Sequence, residues 1–154
     1  MKLSEQGETL LHTREISRSP NLTAYKDTVG VWTIAYGNTF YANGTPVKAG
    51  DKITKAEADK LFKDILSQFE GKVKKLIDVT KLNQNQYDAL ISLVYNIGTG
   101  AFGTSTLRKL INDGKLVEAS IEFLRWRFPN EIFSRRLAEA RQFAGVGFTA
   151  RYGA

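Results

Sequence analysis

The chain of 154 residues has no cysteine, a single histidine, one methionine and three prolines. Without thiols, disulfides and thiolate metal sites are excluded. One histidine leaves too few nitrogen ligands for a zinc centre, which argues against zinc-amidase chemistry; no metal and no cofactor is expected. The lack of cysteine does not identify a compartment, because disulfide-free proteins work on both sides of a membrane. No stretch approaches the roughly 18 apolar residues needed to span a bilayer. Met1-Lys2-Leu3-Ser4-Glu5-Gln6-Gly7 has no apolar core and an early acidic residue, so it is not read as a signal peptide. The chain also lacks a glycine-rich phosphate loop, a helix-turn-helix pattern, internal repeats and low-complexity tracts.

What is present is ordinary for a soluble globular protein: 42% hydrophobic and 25% charged residues. A chain of this length buries roughly two-thirds of its unfolded surface and needs no covalent staple. One domain is expected, with room for two lobes. The net charge is +6, which favours anionic partners: nucleic acid, acidic lipid or an anionic cell-wall polymer; without a recognition motif, nucleic acid is not expected. The positive charge is densest near the C-terminus, where Arg125, Arg127, Arg135, Arg136, Arg141 and Arg151 are set against only Glu131 and Glu139. A patch for an anionic partner and a solvated surface with charges at helix C-termini are equally good readings of that cluster.

Along the chain, residues 4–16 read as a short helix capped by Ser4, with Leu10 and Leu11 as its apolar edge. Pro20 ends it, because a proline cannot continue a helix and disfavours helical geometry at Ser19. Residues 22–50 read as short strands and turns punctuated by glycine. Trp32, Ile34 and Tyr36 alternate with Thr33 and Ala35, which predicts that Thr33 points away from the aromatic face. Thr54-Lys55-Ala56-Glu57 is a capping box. It opens a long amphipathic helix marked by Ala58, Phe62, Ile65, Phe69, Val73 and Leu76, with a bend allowed at Gly71. Asn83-Gln84-Asn85-Gln86 is a second capping signal, for a helix ended by Gly98 and Gly100. Further helices are predicted from Thr104 or Ser105 to about Asp113, from Leu116 to about Trp126 before Pro129, and over 131–143. The architecture is therefore α+β. A small antiparallel β lobe, about 17–53, is followed by a connecting helix, about 54–77. A helical lobe, about 80–154, takes in the N-terminal helix.

Three side chains in the first part of the chain carry chemical interest. Asp27 precedes a glycine-containing turn, Thr33 lies on the returning strand, and Glu15 ends the first helix. Two acids and a hydroxyl are the parts needed to cleave a glycosidic bond. Each also has an ordinary reading: a turn-capping aspartate, a β-branched strand residue and a solvated glutamate at a helix end. His12 is read as a surface or packing residue.

Leu22 to Gly37, including Tyr25-Lys26-Asp27 and Trp32-Thr33-Ile34-Ala35-Tyr36-Gly37, closely resembles the signature hairpin of the phage lysozyme (endolysin) family. Leu82-Asn83-Gln84-Asn85-Gln86-Tyr87-Asp88-Ala89-Leu90 through Tyr95-Asn96-Ile97-Gly98, Gly100-Ala101-Phe102 and Ser105-Thr106-Leu107 is a second match. Arg125-Trp126, Pro129-Asn130 and Arg135-Arg136 form a looser third. The order is that of the family across nearly the whole chain. The resemblance implies a two-lobed lysozyme-like fold with substrate in the cleft between lobes.

It also implies roles. Asp27 and Thr33 match the catalytic aspartate and threonine, with the usual five residues between them. Eleven residues separate Glu15 from Asp27, where the family has eight. Two alignments compete. In the favoured one, extra residues lie within 16–21 and Glu15 remains the general acid, although Ile16 stands where glycine is usual. In the other, Arg18 takes the catalytic place, and an arginine cannot act as the acid. Thr39, Tyr95, Thr106 and Ser120 fall where the family contacts the sugar chain; a core aromatic (Tyr95) and helix-surface hydroxyls (Thr106, Ser120) are the alternatives. Ala35 replaces a usual glycine and Asn38 a common histidine.

The implied activity is a muramidase: inverting hydrolysis of the β-1,4 bond between N-acetylmuramic acid and N-acetylglucosamine. Inversion requires carboxyls roughly 6.5–9.5 Å apart. The alternative is a lysozyme-fold module that holds glycan or protein without cutting it. A lytic transglycosylase is disfavoured, because the Asp27–Thr33 pair is suited to holding water. The resemblance further implies a monomer that accumulates in the host cytoplasm and reaches the cell wall after release through a holin pore or a tail structure.

Overall fold

The computed structural model describes residues 1–15, 19–126 and 132–145, apart from the side chains of residues 13–15. The described part is mainly helical with one two-stranded antiparallel sheet. It divides into two compact units, one of residues up to Glu15 and from Glu70 onward, the other of the residues between.

The smaller unit is built on the hairpin. Strand β1 (Asn21–Lys26) pairs with β2 (Trp32–Ala35), Tyr25 opposite Thr33 and Lys26 opposite Trp32. An irregularity between Asn21 and Tyr25 shifts the pairing, so that Asn21 lies opposite Ala35. Burial does not alternate along β2. Thr33, Ile34 and Ala35 are 3, 0 and 1% exposed, so this strand is covered on both faces. Ile34 and Ala35 pack with Val47, Ala58 and Leu61, and Trp32, Tyr36, Tyr41 and Ile53 flank them. Ala58 and Leu61 come from helix α2 (Lys55–Lys74). That helix opens with the predicted capping box: Thr54 N–H donates to Glu57 Oε1 (3.0 Å) and Glu57 N–H to Thr54 Oγ1 (3.1 Å). It runs through Gly71 as continuous helix and stops at Lys74, short of the expected 77.

The larger unit begins with α1 (Glu5–Glu15). Ser4 caps it, its Oγ accepting from Gly7 N–H (2.9 Å). The cap is held from a distance in sequence. Ser4 donates its N–H (3.1 Å) and its hydroxyl to the carboxylate of buried Asp88, and Leu3 N–H donates to Glu70 Oε1 (2.7 Å). Gly7 is glycine for a steric reason: a Cβ there would lie 2.6 Å from Asp88 Cγ. Helix α3 (Gln84–Ile97) starts at the second predicted capping box, Asn83 with Gln86. Gly98, with φ +91°, ends it. Gly100 is not a terminator, because it lies inside a short helix, α4 (Thr99–Gly103), that the sequence reading missed.

Ser105, not Thr104, caps α5 (Thr106–Asn112), with Arg108 N–H on its Oγ at 3.1 Å. Helix α6 (Leu116–Glu122) tightens into a 3-10 turn over Phe123–Trp126. Helix α7 covers Phe133–Ala144. The break expected at Pro129 lies outside the described residues. Arg136 on α7 departs from the solvated reading of the basic cluster. It is 1% exposed, ion-paired with buried Glu139, and donates Nε–H to the Trp126 carbonyl (2.9 Å) and an Nη2 hydrogen to Asn96 Oδ1. Ser92 on α3 donates to the other Glu139 oxygen. Among the described residues, no helix is long and apolar enough to cross a membrane.

Candidate active site

The hairpin brings Asp27 and Thr33 together through one residue, Val31. The Asp27 N–H donates to the Val31 carbonyl (2.9 Å), and the Val31 N–H donates back to Asp27 Oδ1 (2.9 Å). Val29 N–H adds a second bond to the same oxygen (2.9 Å). Gly30, at φ +83°, closes the turn by donating its N–H to the Asp27 carbonyl (3.0 Å). The Thr33 hydroxyl donates to the Val31 carbonyl (3.0 Å).

This geometry has two consequences. Asp27 lies opposite Val31, and Val31 shares a face with Thr33 by the two-residue period of a strand. Asp27 and Thr33 are therefore diagonal neighbours on one face of the hairpin. Both also act as acceptors. Oδ1 of Asp27 is fixed by two backbone donors while its carboxylate stays half-buried at the turn. With its proton directed to Val31, the Thr33 oxygen offers lone pairs to a further donor. Asp27 is thus the turn cap that its residue type predicts, and that role occupies one of its two oxygens.

The turn that follows is equally constrained. Ala35 is a non-glycine residue with φ +58°, in the left-handed region. The glycine usual at this position in the resembling family would adopt it freely. Ile34 and Asn38 exchange backbone hydrogen bonds (2.8 and 2.9 Å), and Tyr36 N–H donates to Asn38 Oδ1 (3.2 Å). The Tyr36 hydroxyl donates to the Asp59 carboxylate on α2. Burial, and then this bond, push that phenol up to about 12.

The other expected positions are spread more widely. Glu15 is the last residue of α1; its side chain, like Arg18, lies outside the described residues. Thr39 is half-buried in the smaller unit, its carbonyl accepting from Val47 N–H (3.0 Å). Tyr95 is half-buried on α3, and Thr106 is exposed as the first residue of α5. Ser120 is not the helix-surface hydroxyl of its ordinary reading: it is 1% exposed on α6 and donates to the Val117 carbonyl (2.6 Å). His12 is half-buried on α1. An open pocket of about 210 Å³ against α2, lined in part by Tyr41, Ile53, Leu61 and Asp64, contains none of the expected site residues.

A small hairpin presenting a carboxylate and a hydroxyl, with helices making up most of the other described residues, is the pattern that the resemblance to the phage lysozyme class of glycan hydrolases implies. Comparison with known proteins agrees. The profile of the phage lysozyme family matches residues 18–142, and the chain belongs to that family. The matched segment takes in Asp27 and Thr33 and begins after Glu15. The endolysin of Salmonella phage P22 is 37% identical over 147 residues, which cover 93% of this chain and 98% of that protein. The endolysin of Acyrthosiphon pisum secondary endosymbiont phage 1 is 41% identical over 126 residues, 82% of this chain and 80% of its own. Among solved structures, a P22 lysozyme variant superposes with a TM-score of 0.76 at 36% identity, covering 94% of this chain and 99% of its own. The endolysin from Escherichia coli O157:H7 phage FAHEc1 gives 0.76 at 34% identity, with 93% of each chain covered.

Proposed function

We propose that this glycoside hydrolase of peptidoglycan cleaves the β-1,4 bond between N-acetylmuramic acid and N-acetylglucosamine by single displacement. Glu15 acts as general acid, and Asp27 and Thr33 hold the attacking water. The observation that carries this reading is the pair of acceptors tied to Val31. A water shared by the Asp27 carboxylate and the Thr33 oxygen gives one proton to each. Its own lone pair is then directed away from both, toward an anomeric carbon. Asp27 accepts the proton as the new C–O bond forms, and Glu15 protonates the leaving oxygen on the opposite face, which inverts the anomeric centre. Thr39, Tyr95 and Thr106 are proposed to contact the glycan. Release through a holin pore from the host cytoplasm, and action as a monomer, complete the proposal.

The test is digestion of purified peptidoglycan by the wild type and Glu15→Gln, with mass spectrometry of the fragments. The expected result is reducing, hydrated muramic ends from the wild type, with release by Glu15→Gln lower by about 10²–10⁴-fold, the usual contribution of a general acid. Equal release by both proteins would remove Glu15 from the mechanism, and a gain of activity in Arg18→Glu would select the ungapped alignment. Anhydro ends would replace hydrolysis with transglycosylation.

A further inference from the structure

Left-handed backbone at a non-glycine residue persists only where the surroundings over-determine it. At Ala35 they do. The residue is 1% exposed and lies two positions after Thr33. The turn it opens is closed by the Ile34–Asn38 backbone pair and by the Asn38 side chain on Tyr36 N–H. Tyr36 then ties the turn to α2 in two ways. Its hydroxyl donates to Asp59, and its ring meets Phe62 edge-on, with centroids 5.9 Å apart and an interplanar angle of 71°. The ring contact alone accounts for burial, and phenylalanine would supply it. The hydroxyl–carboxylate bond adds direction, because it fixes the turn along one line toward α2. The strand that carries Thr33 is thus held at both ends, by Val31 before it and by the Tyr36 turn after it.

We propose that Tyr36 and Asp59 form a positioning pair for Thr33, acting through the left-handed turn at Ala35 to hold the Thr33 oxygen where it orients water. This proposal rests on the reading of Thr33 given above. It assigns neither residue a contact with substrate.

The experiment compares kcat and KM of the wild type, Tyr36→Phe, Asp59→Asn, Asp59→Leu, Tyr36→Phe/Asp59→Leu and Thr33→Ala on soluble peptidoglycan fragments, together with the melting temperature of each. Tyr36→Phe keeps the ring contact with Phe62 and lowers kcat by about tenfold, the scale expected of a sub-ångström misplacement, with KM unchanged. Asp59→Asn keeps an acceptor and restores most of the rate, whereas Asp59→Leu repeats the loss. The double variant is no slower than either single one, because the two side chains share one interaction. Lys55 pairs with Asp59 at 2.9 Å on the exposed side of α2, and Lys55→Ala leaves kcat unchanged. Wild-type kcat in Tyr36→Phe with an impaired Thr33→Ala overturns the positioning pair and leaves the reading of Thr33 standing. Wild-type kcat in Thr33→Ala overturns both. A loss that follows only the folded fraction, with a lowered melting temperature, reduces the pair to a structural tie.

Discussion

The two stretches that carry the proposed catalytic groups are held in opposite ways. Around Asp27 and Thr33 the side-chain hydrogen bonds span two to four residues of sequence. At the start of α1, the helix that ends in Glu15, the bonds reach across 67 residues to Glu70 and 84 to Asp88. The turn around Asp27 therefore carries its own hydrogen bonds, with a longer tie from Tyr36 to Asp59 further along the hairpin, while α1 borrows its geometry from the helical core. The teaching is about robustness: substitutions deep in the helical unit act first on stability, and those in the hairpin act first on chemistry.

The largest effect that separates these roles is expected at Asp27. In Asp27→Asn the amide oxygen still accepts from Val29 and Val31, so the turn survives while the base is lost. Activity falls by about 10³-fold or more, with thermal unfolding close to wild type. Asp27→Ala loses both functions and unfolds with about 1 kcal/mol less stability, the usual worth of a backbone-capping side chain. If Asp27→Asn keeps its activity, the aspartate is a turn cap alone.

The counterpart in the helical unit is Arg136. Arg136→Met leaves Glu139 buried at 0% exposure without its cation. Breaking such a pair from one side costs about 3–5 kcal/mol. Urea denaturation is the measurement, with kcat per folded molecule expected to stay near wild type. A loss below about 1 kcal/mol would mean that water or a neighbouring donor already serves Glu139.

What could be read from the sequence follows the same division. Ser4, Thr54 with Glu57, and Asn83 with Gln86 are local signals, and the structure uses each as a cap. The hairpin motif is local too, which is why the turn at Asp27 and the strand of Thr33 were legible. Arg136 and Glu139 pair three residues apart on α7, a spacing that also suits a solvated helix face; what marks them as buried, Asn96 and Ser92 on α3, lies far off in sequence, as do Leu3 and Ser4, the partners of Glu70 and Asp88. The burial of Thr33 was not legible because strand alternation gives the direction of a side chain and not what covers it. The burial of Ser120 was not legible because motif position carries no information on burial.

A smaller effect concerns the phenols. Tyr36 and Tyr41 are both raised to about 12, each chiefly by burial and then by a carboxylate acceptor, Asp59 and Asp51 respectively. Tyr87, bonded to Glu70, is raised further for the same causes. A phenol whose folded value lies above its unfolded value of about 10 favours the fold while it is protonated. That contribution is complete below about pH 10 and is lost as the pH rises toward 12. Ultraviolet titration of the native protein should therefore show Tyr36, Tyr41 and Tyr87 ionising late, with unfolding accelerating over the same range. Uniform ionisation near 10 in the folded protein would mean that the Tyr36–Asp59 bond is not formed in solution.

The smallest change is expected at Ala35, where opposing terms nearly cancel. Replacing Ala35 by glycine relieves left-handed strain of about 1–2 kcal/mol. It also removes a methyl from a side chain only 1% exposed, worth about 0.8 kcal/mol. The freer unfolded chain takes back a further 0.4–1 kcal/mol or so. Ala35→Gly should therefore lie within about 1 kcal/mol of wild type by chemical denaturation. Ala35→Val meets the same backbone with a β-branched side chain, has no compensating term, and should lose distinctly more stability. A stabilisation well above 1 kcal/mol in Ala35→Gly would show that the methyl adds little packing. The alanine would then be a strain that the hairpin carries for the sake of the turn alone.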